Sequence, residues 1–133
     1  MKIKTSELTG AALDWTVCKA EGDELAARNI EYPKQAKHYP KVAPSTDWSL
    51  AGPIIEREGI DVRLDRDRVF DPGEKVERWY ASKPFDTIPD SEWVEYGATP
   101  LIAAMRCFVA SKLGDEVEIP NELLTPQKPR GIK

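Results

Sequence analysis

The sequence predicts an α+β fold, a small antiparallel β-sheet of three to five strands packed by two main α-helices. Three observations carry that expectation. Residues 99–114 read as a capped helix that is apolar around most of its circumference, the mark of a buried helix. Residues 9–22 read as another helix, with apolar residues on two faces. Between them, residues 60–82 alternate apolar with charged side chains across short turn sequences, the pattern of an antiparallel meander.

Taken in order, residues 1–4 alternate lightly and predict a short strand. Thr9 is a suitable N-cap and Gly22 a suitable terminator for the first helix. Leu13, Val17 and Ala20 share one face of it, and Ala11, Trp15 and Cys18 share a nearly opposite one. Two apolar stripes predict packing on both sides, by the sheet and by either the second helix or another subunit. A homodimer or higher homo-oligomer is therefore expected. Residues 29–44 hold Pro33, Pro40 and Pro44, Tyr32 and Tyr39, Lys34, Lys37, Lys41 and His38, and read as a long irregular loop. A mobile surface loop and an ordered lid both fit it.

Pro53 is placed to open a short helix over residues 53–58, stopped by Gly59. Ile60, Val62 and Leu64 alternate with Asp61 and Arg63, the clearest strand signal in the chain. Residues 65–68 read as a turn, Val69 and Phe70 as the opening of a second strand, and residues 71–74 as another turn. Residues 76–82 read as a third strand, with Trp79 and Ala81 on one face and Tyr80 on the other. Residues 83–97, with Pro84, Pro89 and Trp93, read as a connection. Thr99 caps the last helix, Pro100 occupies its first turn and Gly114 ends it after Lys112. Residues 117–119 can add a strand. One domain is expected over residues 1–119, followed by a polar, Pro-rich tail over residues 120–133.

A chain of 133 residues can bury one core without staples. Mean hydropathy is −0.50, and no apolar run approaches the ~20 residues of a membrane span. Residues 1–6 turn polar too soon for a secretory signal. The two cysteines, Cys18 and Cys107, have no metal-ligand spacing and read as small buried residues of a reduced, cytoplasmic chain. With His38 the sole histidine, no metal and no cofactor is expected. A net charge of −4 argues against a broad nucleic-acid-binding face but leaves room for a local basic pocket taking one small anion.

Residues 45–57 concentrate chemistry: Ser45, Thr46, Asp47, Trp48, a Gly52-Pro53 break, and Glu56 beside Arg57. His38, Ser45 and Asp47 have triad chemistry, but all fall in irregular sequence, where nothing rigid orients a base. No catalytic residue is assigned. Arg106 lies mid-helix at the edge of an apolar surface, so it must meet an anion or backbone carbonyls. Either an internal pair with Glu56 or Asp14, carbonyl contacts, or a bidentate hold on an anionic ligand would satisfy it. Arg57, Arg63, Arg66, Arg68 and Arg78 interleave with acids, as on a solvated sheet face. Arg57 stands apart as the one expected to point where Trp48 points. The expected ligand-binding set is Tyr39, Ser45, Thr46, Trp48, Arg57, Trp79 and Arg106: rings for stacking, guanidinium groups for charge and hydroxyls for hydrogen bonds.

Three segments also carry a family resemblance. They are Lys4-Thr5-Ser6-Glu7-Leu8-Thr9-Gly10 running into Leu13-Asp14-Trp15; Ser45-Thr46-Asp47-Trp48 with Gly52-Pro53-Ile54-Ile55-Glu56-Arg57-Glu58; and the ungapped run from Thr99 to Gly114. Together they resemble the NinX-like family of small phage and prophage proteins. The resemblance implies a phage accessory protein acting in the infected bacterial cytoplasm and carries over no catalytic residue. Two functional expectations follow. One is a protein that binds, rather than transforms, a small nucleotide-like ligand, sequestering a host immune signalling nucleotide. The other is a protein-interaction module that inhibits or redirects a host protein.

Overall fold

A computed structural model describes residues 1–36, 42–66, 72 and 77–124. The described elements are β1 (Lys2–Lys4), α1 (Gly10–Glu21), α2 (Glu24–Glu31), α3 (Trp48–Glu58), β2 (Asp61–Leu64), β3 (Trp79–Pro84), β4 (Glu92–Gly97), α4 (Pro100–Leu113), β5 (Glu116–Glu118) and α5 (Asn121–Leu124), with short 3-10 turns at Thr5–Glu7 and Pro33–Ala36. The α+β class stands. Its strands form two small antiparallel sheets, β2-β3-β4 and β1-β5.

The organising element is α4. Thr99 Oγ1 accepts the Ile102 N–H at 3.1 Å, Pro100 begins the helix, and the Gly114 N–H returns to Ala110 O. Such a cap is worth ~1 kcal/mol. Every residue from Ala103 to Ala110 is buried. The inner face of the three-stranded sheet meets it with Val62, Ala81, Trp79 and Trp93, while α1 packs Leu13 and Val17 into the same core. The 3-10 turn after β1 is tied to the far end of α4, where Thr5 Oγ1 donates to Gly114 O at 2.7 Å. The β1–β5 pair then runs with Ile3 opposite Val117.

Gly97, at the end of β4, shows how closely strand and helix approach. A Cβ there would lie 2.5 Å from Ala103 N and 2.9 Å from Ile102 Cγ2, distances no side chain tolerates.

Several elements differ from expectation. Residues 92–97, read as connection, form β4, which pairs with β3 from Trp79 opposite Gly97 to Pro84 opposite Glu92. The strand expected at 76–82 is described as Trp79–Pro84, carrying two more residues at its end. Residues 24–31 form α2, its first turn capped by Asp23 accepting the Ala26 N–H at 3.1 Å. Helix α3 begins at Trp48, so Pro53 lies inside it instead of opening it. Asp47 explains the earlier start, because its Oδ1 takes the Ser49 N–H at 2.9 Å and supplies the cap that Pro53 was expected to replace.

The second apolar stripe of α1 is covered by this same chain. Cys18 packs with Ala26 and Ala27 of α2, joined by Trp15, Ile30 and Val42. That stripe therefore carries no argument for a second subunit. Residues Asn121–Leu124, expected as the start of the tail, form α5 and set Leu123 and Leu124 against the core. The turn and strand expected around Val69, Phe70 and residues 71–74 fall largely outside the described residues, as do residues 125–133. No helix among the described residues is long and apolar enough to cross a membrane.

Candidate functional site

A cleft of about 360 Å³ lies between the C-terminal half of α1 and one face of α3. The volume is within the range of small-molecule sites, ~300–1,000 Å³. Its body is apolar. Val17 comes from α1, Leu50, Pro53 and Ile54 from α3, and Val42 and Pro44 from the segment entering α3. Residues 50, 53, 54 and 57 recur at the three-and-four spacing that keeps them on one helix face, so Arg57 shares the face of Leu50, Pro53 and Ile54.

Arg57 is the one cation lining this cleft among the described residues. Its Nε donates to Glu58 Oε2 at 2.9 Å, and its two terminal nitrogens reach across to α1, donating to Glu21 Oε1 at 3.3 Å and Oε2 at 2.7 Å. The guanidinium also sits 5.7 Å from the ring centroid of Phe108 on α4. The hydrogen bonds it donates to Glu21, and then to Glu58, push Arg57 further towards its charged form.

Behind it, Glu58 is a shared anchor. Lys83 of β3 donates to its Oε1 at 2.9 Å and Lys112 of α4 approaches the same oxygen at 3.3 Å. Burial pushes the Glu58 carboxyl up, but the hydrogen bonds from Lys83, Arg57 and Lys112 outweigh burial and bring it from 4.5 down to about 2.

Of the seven residues expected to form one site, the six that are described do not assemble. Trp48 and Arg57 stand nine residues apart on a continuous helix. At ~100° per residue their side chains leave on opposite sides, contrary to the expectation that they point together. Trp48 is 58% exposed at the start of α3. Ser45 is buried, and its N–H is fixed by Asp14 Oδ1 at 2.7 Å. Thr46 is exposed in a turn, with its hydroxyl directed at Ala43 O. Trp79 is partly buried against the core on the sheet side.

Arg106 is 2% exposed and held from within the fold. Its Nε donates to Leu8 O at 2.8 Å, and its Nη1 donates to Tyr96 O at 2.7 Å and to Glu77 at 3.0 Å. The internal reading of this arginine holds, with carbonyls and Glu77 in place of Glu56 or Asp14. Tyr39 and His38 lie outside the described residues.

Sequence reasoning missed Glu21 and the apolar wall. The wall was legible in principle as Leu50-Pro53-Ile54-Arg57, had the helix been started at Asp47. It also missed a pair on the outer sheet face, Tyr80 and Tyr96, whose rings lie 5.7 Å apart. A second depression, of about 470 Å³, is lined by Lys4, Ser6, Glu95, Asp115 and Glu116. Burial first, and then Asp115, push the Glu95 carboxyl above its ordinary value there. That depression has no apolar wall.

Nucleophilic chemistry has little footing at the cleft. Cys18 lines it, but burial, reinforced by Asp23, Asp14 and Glu21, pushes its thiol up to about 12. At neutral pH it is a protonated, unreactive thiol. No group of three or more His, Cys, Asp or Glu among the described residues is placed to hold a metal ion.

These features define a small α+β protein with one apolar-walled, arginine-edged cleft beside a tightly packed helix-on-sheet core. Residues 4–112 match the family model described as bacteriophage P22, NinX. The chain belongs to that phage family. No curated protein matches it.

Proposed function

We propose that this phage protein is an accessory protein that binds, and does not transform, a small anionic, nucleotide-like ligand in the α1–α3 cleft. Its biological role would be to sequester a host immune signalling nucleotide in the bacterial cytoplasm. The observation that carries the reading is the cleft itself: an apolar body of ligand size with the forked guanidinium of Arg57 on its wall. Apolar walls take the flat body of a ligand, and a bidentate arginine takes its carboxylate or phosphate. A protonated Cys18 supports binding without covalent chemistry. Of the residues expected to bind, Arg57 is the described one that lines the cleft. Ser45, Thr46, Trp79 and Arg106 are engaged elsewhere in the fold, and Trp48 faces away from the cleft.

The test is to incubate the protein with cyclic and ADP-ribose-type nucleotides, then denature it by heat and identify what is released. Intact nucleotide supports a sponge. A cleaved product identifies an enzyme, and no retention at micromolar protein ends the reading.

One observation favours a second reading, an interaction module for a host protein. Trp48 exposes 58% of its surface on the side of α3 away from Arg57, and exposed tryptophans are frequent anchors of protein interfaces. A stoichiometric partner captured from host lysate and lost with Trp48→Ala would favour it over the sponge.

A further inference from the structure

We infer that Glu21 is a built-in stand-in for the anionic group of the ligand, and that binding exchanges the Glu21 carboxylate on Arg57 for a phosphate or carboxylate of the incoming molecule. The inference rests on the cleft reading above and deepens it by naming the contact that must open. Three observations carry it.

The first is the division of labour on Arg57. Its Nε is committed to Glu58, which is itself held by Lys83 and Lys112. Its two terminal nitrogens, the fork that recognises planar oxyanions, are spent on Glu21 alone. Removing Glu21 therefore frees the fork while the Nε bond still fixes its orientation. That is a preorganised oxyanion receptor with an internal occupant.

The second is exposure. The Glu58 side chain is 10% exposed, whereas Arg57 is 51% and Glu21 27% exposed. Water and small ions reach the Arg57–Glu21 contact far more readily than the anchor behind it. An exposed ion pair is worth only ~0.2–1 kcal/mol, so a ligand's oxyanion need surpass little to replace it.

The third is the position of Glu21. It is the last residue of α1, followed by Gly22 in the left-handed conformation at φ 80°. A carboxylate there faces the negative end of the helix dipole, and Asp23 adds a second acid on the cleft wall. The end of α1 gives the Glu21 side chain no support beyond what Arg57 returns. Glu21 is thus poorly placed for stability and well placed to be displaced.

The experiment uses the full chain, with pyrophosphate and AMP as probes. Nitrogen-15 NMR follows the Arg57 side-chain resonances, and calorimetry measures affinity for wild type, Glu21→Gln and Arg57→Lys. The expected result is that Glu21→Gln tightens both probes by up to about fivefold, because the competing pair is gone. Arg57→Lys, which keeps the charge but loses the fork, should weaken them by about tenfold or more. Probe addition to wild type should move the terminal Arg57 resonances and leave the Nε resonance nearly unchanged.

Nucleotide binding with equal or weaker affinity in Glu21→Gln overturns the exchange and leaves the sponge reading standing. Pyrophosphate binding that tightens in Glu21→Gln, with no nucleotide binding, supports the exchange and overturns the nucleotide reading. No response of Arg57 to either probe, in either protein, overturns both.

Discussion

The interior around Arg106 and the corner around Arg57 use the same side chain to opposite ends. Arg106 spends its donors on Leu8 O, Tyr96 O and Glu77, in a place where almost none of it meets solvent. Two of those partners are main-chain carbonyls, which no ligand can replace without dismantling the packing of α4 on β4. Arg57 instead divides its donors between a buried acid and an exposed one. What separates a structural guanidinium from a recognising one is whether its partner can leave. By that measure Arg106, the more conspicuous arginine in the sequence, belongs to the fold, and Arg57 belongs to the cleft.

The contrast can be broken most directly by removing each guanidinium in turn. Arg106→Met should lose about 3–5 kcal/mol in urea unfolding, since two buried carbonyls lose charged donors at once. Arg57→Met should lose about 1 kcal/mol or less, as exposed pairs do. Equal losses would erase the distinction.

Gly97→Ala sharpens the same contrast from the core side. Its new methyl would collide with the backbone of α4, and overpacking of this kind costs about 1–3 kcal/mol. The variant should unfold at lower urea while its affinity for any cleft ligand stays within twofold of wild type, a limit of about 0.4 kcal/mol. A parallel loss of binding would mean the two regions are not independent.

Glu58, which ties Arg57 to β3 and α4, gives an effect read through pH. Its folded pKa of about 2 lies below its ordinary 4.5, so its contribution is fully present above pH 4.5 and is lost as pH falls towards 2. Between pH 6 and pH 3, wild type should lose about 1–2 kcal/mol more than Glu58→Gln, allowing for solvent screening of its lysines. Parallel pH profiles would show that the three cations do not hold this acid.

How much of this was legible follows the same division. Helix α4 could be read almost to the residue, because Thr99, Pro100 and Gly114 mark its ends by local chemistry and its burial leaves an apolar circumference. Helix α1 was equally plain, but what covered its second stripe was not, since α2 lies mostly in residues 24–28, to which no element was assigned, and ends in the stretch read as irregular. β4 was lost because Pro84 and Pro89 suggested a loop. Pro84 in fact ends β3 and Pro89 lies in the turn before β4. The largest error was at the cleft. Reading Gly52-Pro53 as a break moved the start of α3 by five residues and put Trp48 and Arg57 on the same side. A proline usually disrupts a helix interior, yet α3 continues through Pro53 with Asp47 capping its first turn. Glu21, from a different helix, had no local signal at all. It is brought to Arg57 only because α1 and α3 both pack on α4.

The two free cysteines fall one in each region, Cys18 against α2 at the cleft and Cys107 inside α4. Both are buried, and burial foremost pushes each thiol up to about 12. Cys18 shows only 4% of its surface at the cleft wall and Cys107 none, so modification of either is slow until the surrounding elements separate. The chain therefore carries a pair of internal clocks. The rate at which a thiol reagent marks Cys18 times the opening of the α1–α2 corner, and the rate at Cys107 times the opening of the core. If the corner breathes on its own, Cys18 is marked first; if the domain opens as one body, the two clocks keep the same time.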